Sequence, residues 1–371
     1  MNVLISPNAF KGTMTATEAG EIIDKFLKES SPDIQTKMIP IADGGDGTCE
    51  LLSRAFGLKK ISTWTLDPFG KPVIGTFGFD NYSKKAFIDV STASGIGLIG
   101  NEIKNPFVAS TFGTGLLIQS AVNEGAEEII LGLGGSATID LGIGILASLG
   151  ISFLDEKGRD LTPFSPDYLS RIRHIQRPAK LPKFRFTCLC DVKNNFLGVK
   201  GAIPVFGLQK GLEKQELESY EKICETVIQK IFHKVKKTFV DESGFGAAGG
   251  IALGLSAFFP LKIEFGASYF FGKVDLDEEV KWSDVVITGE GKYDSQSNEG
   301  KACFELLQRT KNQQKKSILI TSGEDAFQAG FDEVLVLPEL NFLHSDYHLK
   351  ARENLLCLLK SRLIEILDLK N

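Results

Sequence analysis

Residues 282–301 read WSDVVITGEGKYDSQSNEGK, and their pattern decides the fold class. Asp284-Val285-Val286-Ile287-Thr288 is a β-branched run of strand length that stops at Gly289-Glu290-Gly291. Lys292, Asp294 and Gln296 follow, then Gly300-Lys301 and an amphipathic segment. A buried strand delivering its C-terminal end into a loop of glycines, carboxylates and lysines is how open parallel sheets build ligand sites. The glycines let backbone N–H groups approach an anion and the lysines neutralise it; Glu290 and Asp294 are candidates to hold a metal or move a proton. Alone, such a loop reads equally well as an ordinary solvated connection between strand and helix. Four more loops of the same character favour function.

The first follows Val3-Leu4-Ile5, a buried-strand run, and reads NAFKGT over residues 8–13. Thr15 and Glu18 then form a capping-box pattern ahead of Ala19, Ile22, Ile23 and Phe26 at helical spacing. Lys11 therefore precedes a helix N-terminus, where its charge opposes the dipole unless an anion meets it. The second loop, Asp43-Gly44-Gly45-Asp46-Gly47-Thr48, closes the strand run 37–42 and opens another helical pattern. One of its aspartates is expected as an N-cap, leaving the other for a hard cation such as Mg²⁺.

The third loop follows Glu128-Ile129-Ile130-Leu131 and carries Gly134, Gly135, Ser136 and Thr138 ahead of a small-residue helix. Strand, glycines, hydroxyls and helix make an anion cradle, although the loop is neither a Walker A sequence nor a dinucleotide fingerprint. The alternative is that the glycines only let the helix pack closely. The fourth loop begins at Asp191, after the strand run 184–189, and continues through Asn194 to Gly207, Gln209, Lys210 and Gly211. A carboxylate at a strand's C-terminal end suits a base or a metal ligand, or simply caps a turn.

Between these loops the pattern changes. Runs 63–66, 73–79 and 85–90 are separated only by turn signals, which is an antiparallel meander and marks an inserted domain starting near residue 60. A length of 371 residues agrees with two domains. Apolar residues make up 43% of the chain and charged residues 24%, an ordinary globular balance, and a net charge of −5 gives no basic face for nucleic acid. The cysteines show no CxxC or Cys/His spacing, so neither zinc nor a disulfide framework is indicated. No signal segment or long apolar run is read, and a cytoplasmic protein is expected.

The loops hold lysines, carboxylates, glycines and hydroxyls and no histidine; His174, His233, His344 and His348 fall in connections or on helices. That disfavours a Ser–His–Asp or Cys–His nucleophile. Phosphoryl transfer fits best, because it needs positioning, backbone N–H groups, cations and a carboxylate to orient a hydroxyl.

Eight segments then carry a resemblance. SPNAFKGTMTATEA, PIADGGDGT, STASGIGL, GLGGSATIDLG, CDVKNNFLGVKGA, FGLQKG, GFGAAGG and ITGEGKYDSQSNEGK occur in this order. Over residues 1 to about 305 the chain resembles the bacterial, ATP-dependent glycerate kinase family, as a divergent member. The resemblance implies two α/β domains. One is Rossmann-like, with a parallel sheet built from both chain ends (residues 1–60 and 275–371). The other is inserted (residues 61–274), with a mixed sheet, and the family's site lies in the cleft between domains. It also implies transfer of phosphate from ATP to D-glycerate, usually at the 2-hydroxyl. A monomer or homodimer that binds no membrane is expected.

Departures from the family pattern are Asn8 and Ala9 for aspartate and serine, Asp46 for glutamate, Ile139 and Leu141 for asparagine and glycine, Leu116 for glutamate, and Asn195 and Leu208 for proline. The expected roles follow from residue type and position. Gly134, Gly135, Ser136 and Thr138 cradle phosphate with Gly289 and Gly291, and Lys292 or Lys301 neutralises charge. Asp43, Glu290 and Asp294 are the Mg²⁺ candidates. Asp191 orients or deprotonates the substrate hydroxyl, and Lys11 or Lys210 meets its carboxylate. A member that phosphorylates another small sugar acid, or has become a non-catalytic metabolite-binding protein, is the alternative; side chains of Ile139 and Leu141 filling the pocket would favour the latter.

Overall fold

Runs of valine, isoleucine and leucine bounded by glycine or polar residues become strands. The computed structural model describes residues 1–10, 12–100, 103–293 and 302–368. In chain order the strands are β1 (Asn2–Ile5), β2 (Gln35–Met38), β3 (Lys59–Leu66), β4 (Pro72–Asp80), β5 (Lys85–Asp89), β6 (Glu128–Gly132), β7 (Ser152–Leu154), β8 (His174–Gln176), β9 (Arg185–Cys190), β10 (Leu261–Phe265), β11 (Val285–Gly289), β12 (Lys316–Thr321) and β13 (Glu333–Val336). The fold is α/β and divides into two compact units, Met1–Asp43 with Ala267–Asn371, and Gly44–Gly266.

The unit built from both chain ends holds a five-stranded sheet in the order β13-β12-β11-β1-β2, all of it parallel. The chain leaves β1 toward β2 and returns on the other side of β1 as β11, so the strand order reverses between β1 and β11. Loops at the carboxyl ends of strands flanking such a reversal form the crevice that binds ligands in open α/β sheets. Val3, Ile5, Ile287, Ile318 and Ile320 bury one sheet face against Ala19, Ile23 and Leu27 of helix α1 (Ala16–Ser30) and against Leu355 and Leu359 near the C-terminus. Helix α1 starts with the expected capping box between Thr15 and Glu18.

The other unit has a six-stranded mixed sheet, β10-β9-β6-β5-β4-β3. Strands β10, β9, β6 and β5 run parallel, and β4 is antiparallel to both β5 and β3, which is the meander seen in the sequence. This unit begins earlier than the change of pattern near residue 60, because helix α2 (Thr48–Ala55) packs on β4, β5 and β6. A short hairpin of β7 and β8 was not expected, and it places His174 on a strand rather than in a connection. Among the described residues no helix is long and apolar enough to cross a membrane.

Candidate functional site

In the mixed-sheet unit, three of the loops meet beyond the carboxyl ends of β5, β6 and β9. After β6 the chain turns through Gly134, whose N–H donates to the Gly44 carbonyl at 3.2 Å. A Cβ on Gly134 would lie 2.2 Å from the Gly45 backbone, so only glycine fits there. Gly44 in turn packs on the Cys190 backbone at the end of β9. Gly135 is exposed with φ +70°, a left-handed turn that leaves its backbone open to solvent. The stretch after β5 closes the arrangement: the Ile96 N–H donates to the Gly135 carbonyl at 2.8 Å, and Ala137 N–H to Ser94 at 2.9 Å.

Behind the exposed Gly135, Ser136 and Thr138 are buried. The Lys210 Nζ reaches them from a 3₁₀ turn over Leu208–Lys210, donating to Ser136 Oγ at 2.8 Å and to the Thr138 carbonyl at 3.0 Å. Lys210 is only 5% exposed, and burial pushes its pKa down to about 7, with the Asp140 carboxylate partly opposing. The Thr138 hydroxyl itself has no hydrogen-bond partner among the described residues.

The helix after this loop spans only Ile143–Ser148, and its N-terminus is already occupied. Asp140 accepts from the N–H groups of Gly142 at 3.1 Å and Gly144 at 3.2 Å, and from both the N–H and hydroxyl of Thr111 at 2.8 Å. What the loop offers an anion is therefore the exposed Gly135 backbone, Ser136 and the Lys210 side chain, not an open helix end.

Helix α2 is capped in a similar way, contrary to the expected aspartate N-cap. Its N-cap is Gly47, and Asp89 at the end of β5 takes the N–H groups of Cys49 and Glu50, both at 3.0 Å. Burial is the main cause that raises the Asp89 pKa to about 7; those two N–H bonds oppose it and Asp46 and Glu50 add to it. Sequence reading passed over Asp89, although a carboxylate closing a strand was the signal used for Asp191. Asp46 accepts from the Ser91 hydroxyl. Asp191 follows β9 and is half-buried.

In the parallel-sheet unit, Asn8 follows β1, Asp43 lies beyond β2, and Glu290 follows β11 directly. Asn8, Asp43 and Glu290 are all buried. Asn8 N–H donates to the Gly289 carbonyl at 2.8 Å, and its side-chain Nδ2 donates to Asp43 Oδ2 at 3.1 Å. The Cys303 thiol is bonded to the Gly289 carbonyl at 3.4 Å and is pushed well up, first by burial, then by the Glu290 carboxylate and more weakly by Asp43. Both carboxylates thus lie within electrostatic reach of the Cys303 thiol. Gly291 is held by Ser322 and its neighbour Lys292 is exposed. Lys11, Asp294 and Lys301 lie outside the described residues.

Two buried carboxylates are a hard oxygen donor set, and Mg²⁺ is commonly bound by one or two carboxylates together with phosphate oxygens. Among the described residues no group of three or more His, Cys, Asp or Glu could hold a metal alone. The residues present fit that shared mode. Ile139 and Leu141 do not enter the polar loop: both side chains sit in the hydrophobic core of the mixed-sheet unit.

The chain matches the model of the glycerate kinase family over residues 3–362. A glycerate kinase of Haemophilus influenzae is 34% identical over 366 residues, covering 96% of each chain. The glycerate 2-kinase of Escherichia coli is 34% identical, covering 87% of this chain and 85% of its own. A crystal structure from Salmonella typhimurium LT2, whose name of glycerate kinase 2 is itself a provisional assignment, superposes with a TM-score of 0.80 at 29% identity, covering 99% of this chain and 98% of that one. With sequence and structure matching nearly end to end, the chain belongs to the glycerate kinase family of phosphotransferases.

Proposed function

We propose that this protein transfers the terminal phosphate of ATP to the 2-hydroxyl of D-glycerate, with Mg²⁺, in the cytoplasm. The observation that carries the reading is the buried Lys210 side chain held on Ser136 beneath the turn at Gly134 and the exposed Gly135. A fixed lysine behind a glycine turn open to solvent is what phosphate binding needs. Names of relatives support the acid and, for the Escherichia coli protein, the position of transfer.

In this account Gly134, Gly135, Ser136 and Thr138 hold phosphate oxygens, and Gly289, Gly291, Lys292 and Lys301 serve the nucleotide on the parallel-sheet unit. Asp43, Glu290 and Asp294 would hold Mg²⁺, which supplies charge neutralisation at the phosphates when bound. Asp191 accepts the proton of the substrate hydroxyl, and Lys11 meets the carboxylate. The side chains of Ile139 and Leu141, being in the core, do not support a blocked, non-catalytic site.

Incubation with MgATP, with and without D-glycerate, tests the reading through ADP release. Acid-dependent ADP is expected. ATP turnover unaffected by D-glycerate, tartronate and erythronate would contradict it.

A further inference from the structure

Among the described residues the Lys210 side chain makes two hydrogen bonds, both to neutral oxygens, the Ser136 hydroxyl and the Thr138 carbonyl. An uncharged amine has two N–H groups and can make both. The third proton of the ammonium is not required by either oxygen. Asp140 faces Lys210 from the loop after β6, but its oxygens are engaged by Thr111, Gly142 and Gly144. From the segment before the helix Phe112–Asn123, Lys104 donates to the Gln209 carbonyl at 3.1 Å. From the helix Leu217–Val235, the Tyr220 hydroxyl is bonded to the Pro106 and Ile139 carbonyls and carries no charge near pH 7, burial raising its pKa further above the ordinary 10.

We infer that Lys210 is the cation of the phosphate loop rather than a partner for the acid's carboxylate, and that a phosphate arriving at Ser136 is accompanied by uptake of one proton from solvent onto the Lys210 amine. The inference rests on the phosphate reading of this loop given above. Burial lowers the affinity of the amine for its proton, to a pKa of about 7, and an anion at hydrogen-bond distance restores it. The balance is simple: buffer gives up a proton, the amine becomes an ammonium, and no other bond forms or breaks.

Calorimetric titration with MgADP at pH 7.5, in two buffers of different ionisation enthalpy, measures this proton directly. Uptake of about 0.5–0.8 proton per nucleotide is expected. It should vanish in Lys210→Arg, which stays charged, and in Lys210→Met, where affinity should also fall tenfold or more. Asp89 also titrates near pH 7, so Asp89→Asn is the second variant, and uptake should persist in it. Nucleotide binding without uptake, or uptake lost in Asp89→Asn and kept in Lys210→Met, overturns the role of Lys210 and leaves the kinase reading standing. Absence of nucleotide binding to the unmodified protein overturns the kinase reading, and this inference with it.

Discussion

Asn8 donates from its side-chain Nδ2 to Asp43 Oδ2 across 3.1 Å, joining the end of β1 to the residue beyond β2. Both residues are buried, so the bond orients the Asp43 carboxylate and gives it a neutral donor. An aspartate at this position, usual in the family resemblance, would instead face Asp43 with a second carboxylate, and the pair would need a cation between them.

Replacing Asn8→Asp should therefore destabilise the metal-free protein by about 1–3 kcal/mol. Added Mg²⁺ should recover most of the loss. Thermal unfolding with and without Mg²⁺ checks this, and an equal melting shift in both conditions would count against Asp43 as a metal ligand.

Leu141 combines complete burial with φ +56°, a conformation costly for any residue with a Cβ. Leu141→Gly relieves roughly 1–2 kcal/mol of that strain but empties a core position, where removing a leucine costs about 3–5 kcal/mol. A net loss of about 1–4 kcal/mol is expected from denaturant unfolding. Turnover of the folded fraction should stay within twofold, since the side chain faces the core.

The raised pKa of Asp89 fixes the sign of a pH effect. Between the ordinary value of 3.8 and about 7, the unfolded chain has released its proton while the folded chain keeps it. Stability contributed by this group therefore falls as pH rises through that window, and levels off above it. Asp89→Asn does not titrate, but it loses one of the two N–H bonds at the start of α2, about 1 kcal/mol. The variant should be the less stable protein near pH 4–5 and should gain on the wild type up to pH 7.5. A stability difference independent of pH would contradict the account.

Asp191→Asn should lower kcat by about 10²–10⁴-fold, with KM for the acid changed only a few-fold, if the carboxylate takes the hydroxyl proton. Steady-state kinetics give both numbers. Unchanged turnover would leave Asp191 as a turn cap after β9.

The strands were legible because β1, β6, β9, β11 and β12 are apolar runs ended by glycine or polar residues. Thr15 and Glu18 announced helix α1, and the turn signals between the runs of β3, β4 and β5 announced the meander. The β7–β8 hairpin was not legible, since three-residue strands are too short to show a period of two. The loops of the site could be read as loops, but their partners could not. Lys210 lies 74 positions from Ser136, and Asp89 caps a helix 40 positions before it, so neither pairing leaves a local trace. The same holds for the helix after the glycine loop: its pattern suggested an open N-terminus, and only the fold shows that Asp140 fills it.

Phosphorus NMR of the protein incubated with MgATP and D-glycerate tests the central claim most directly. The account predicts loss of ATP, growth of ADP, and one new phosphomonoester signal split into a doublet by the single proton on C2. A triplet from a C3 methylene would move the transfer to the 3-hydroxyl. Only ADP and inorganic phosphate, with no phosphoglycerate, would contradict a glycerate kinase.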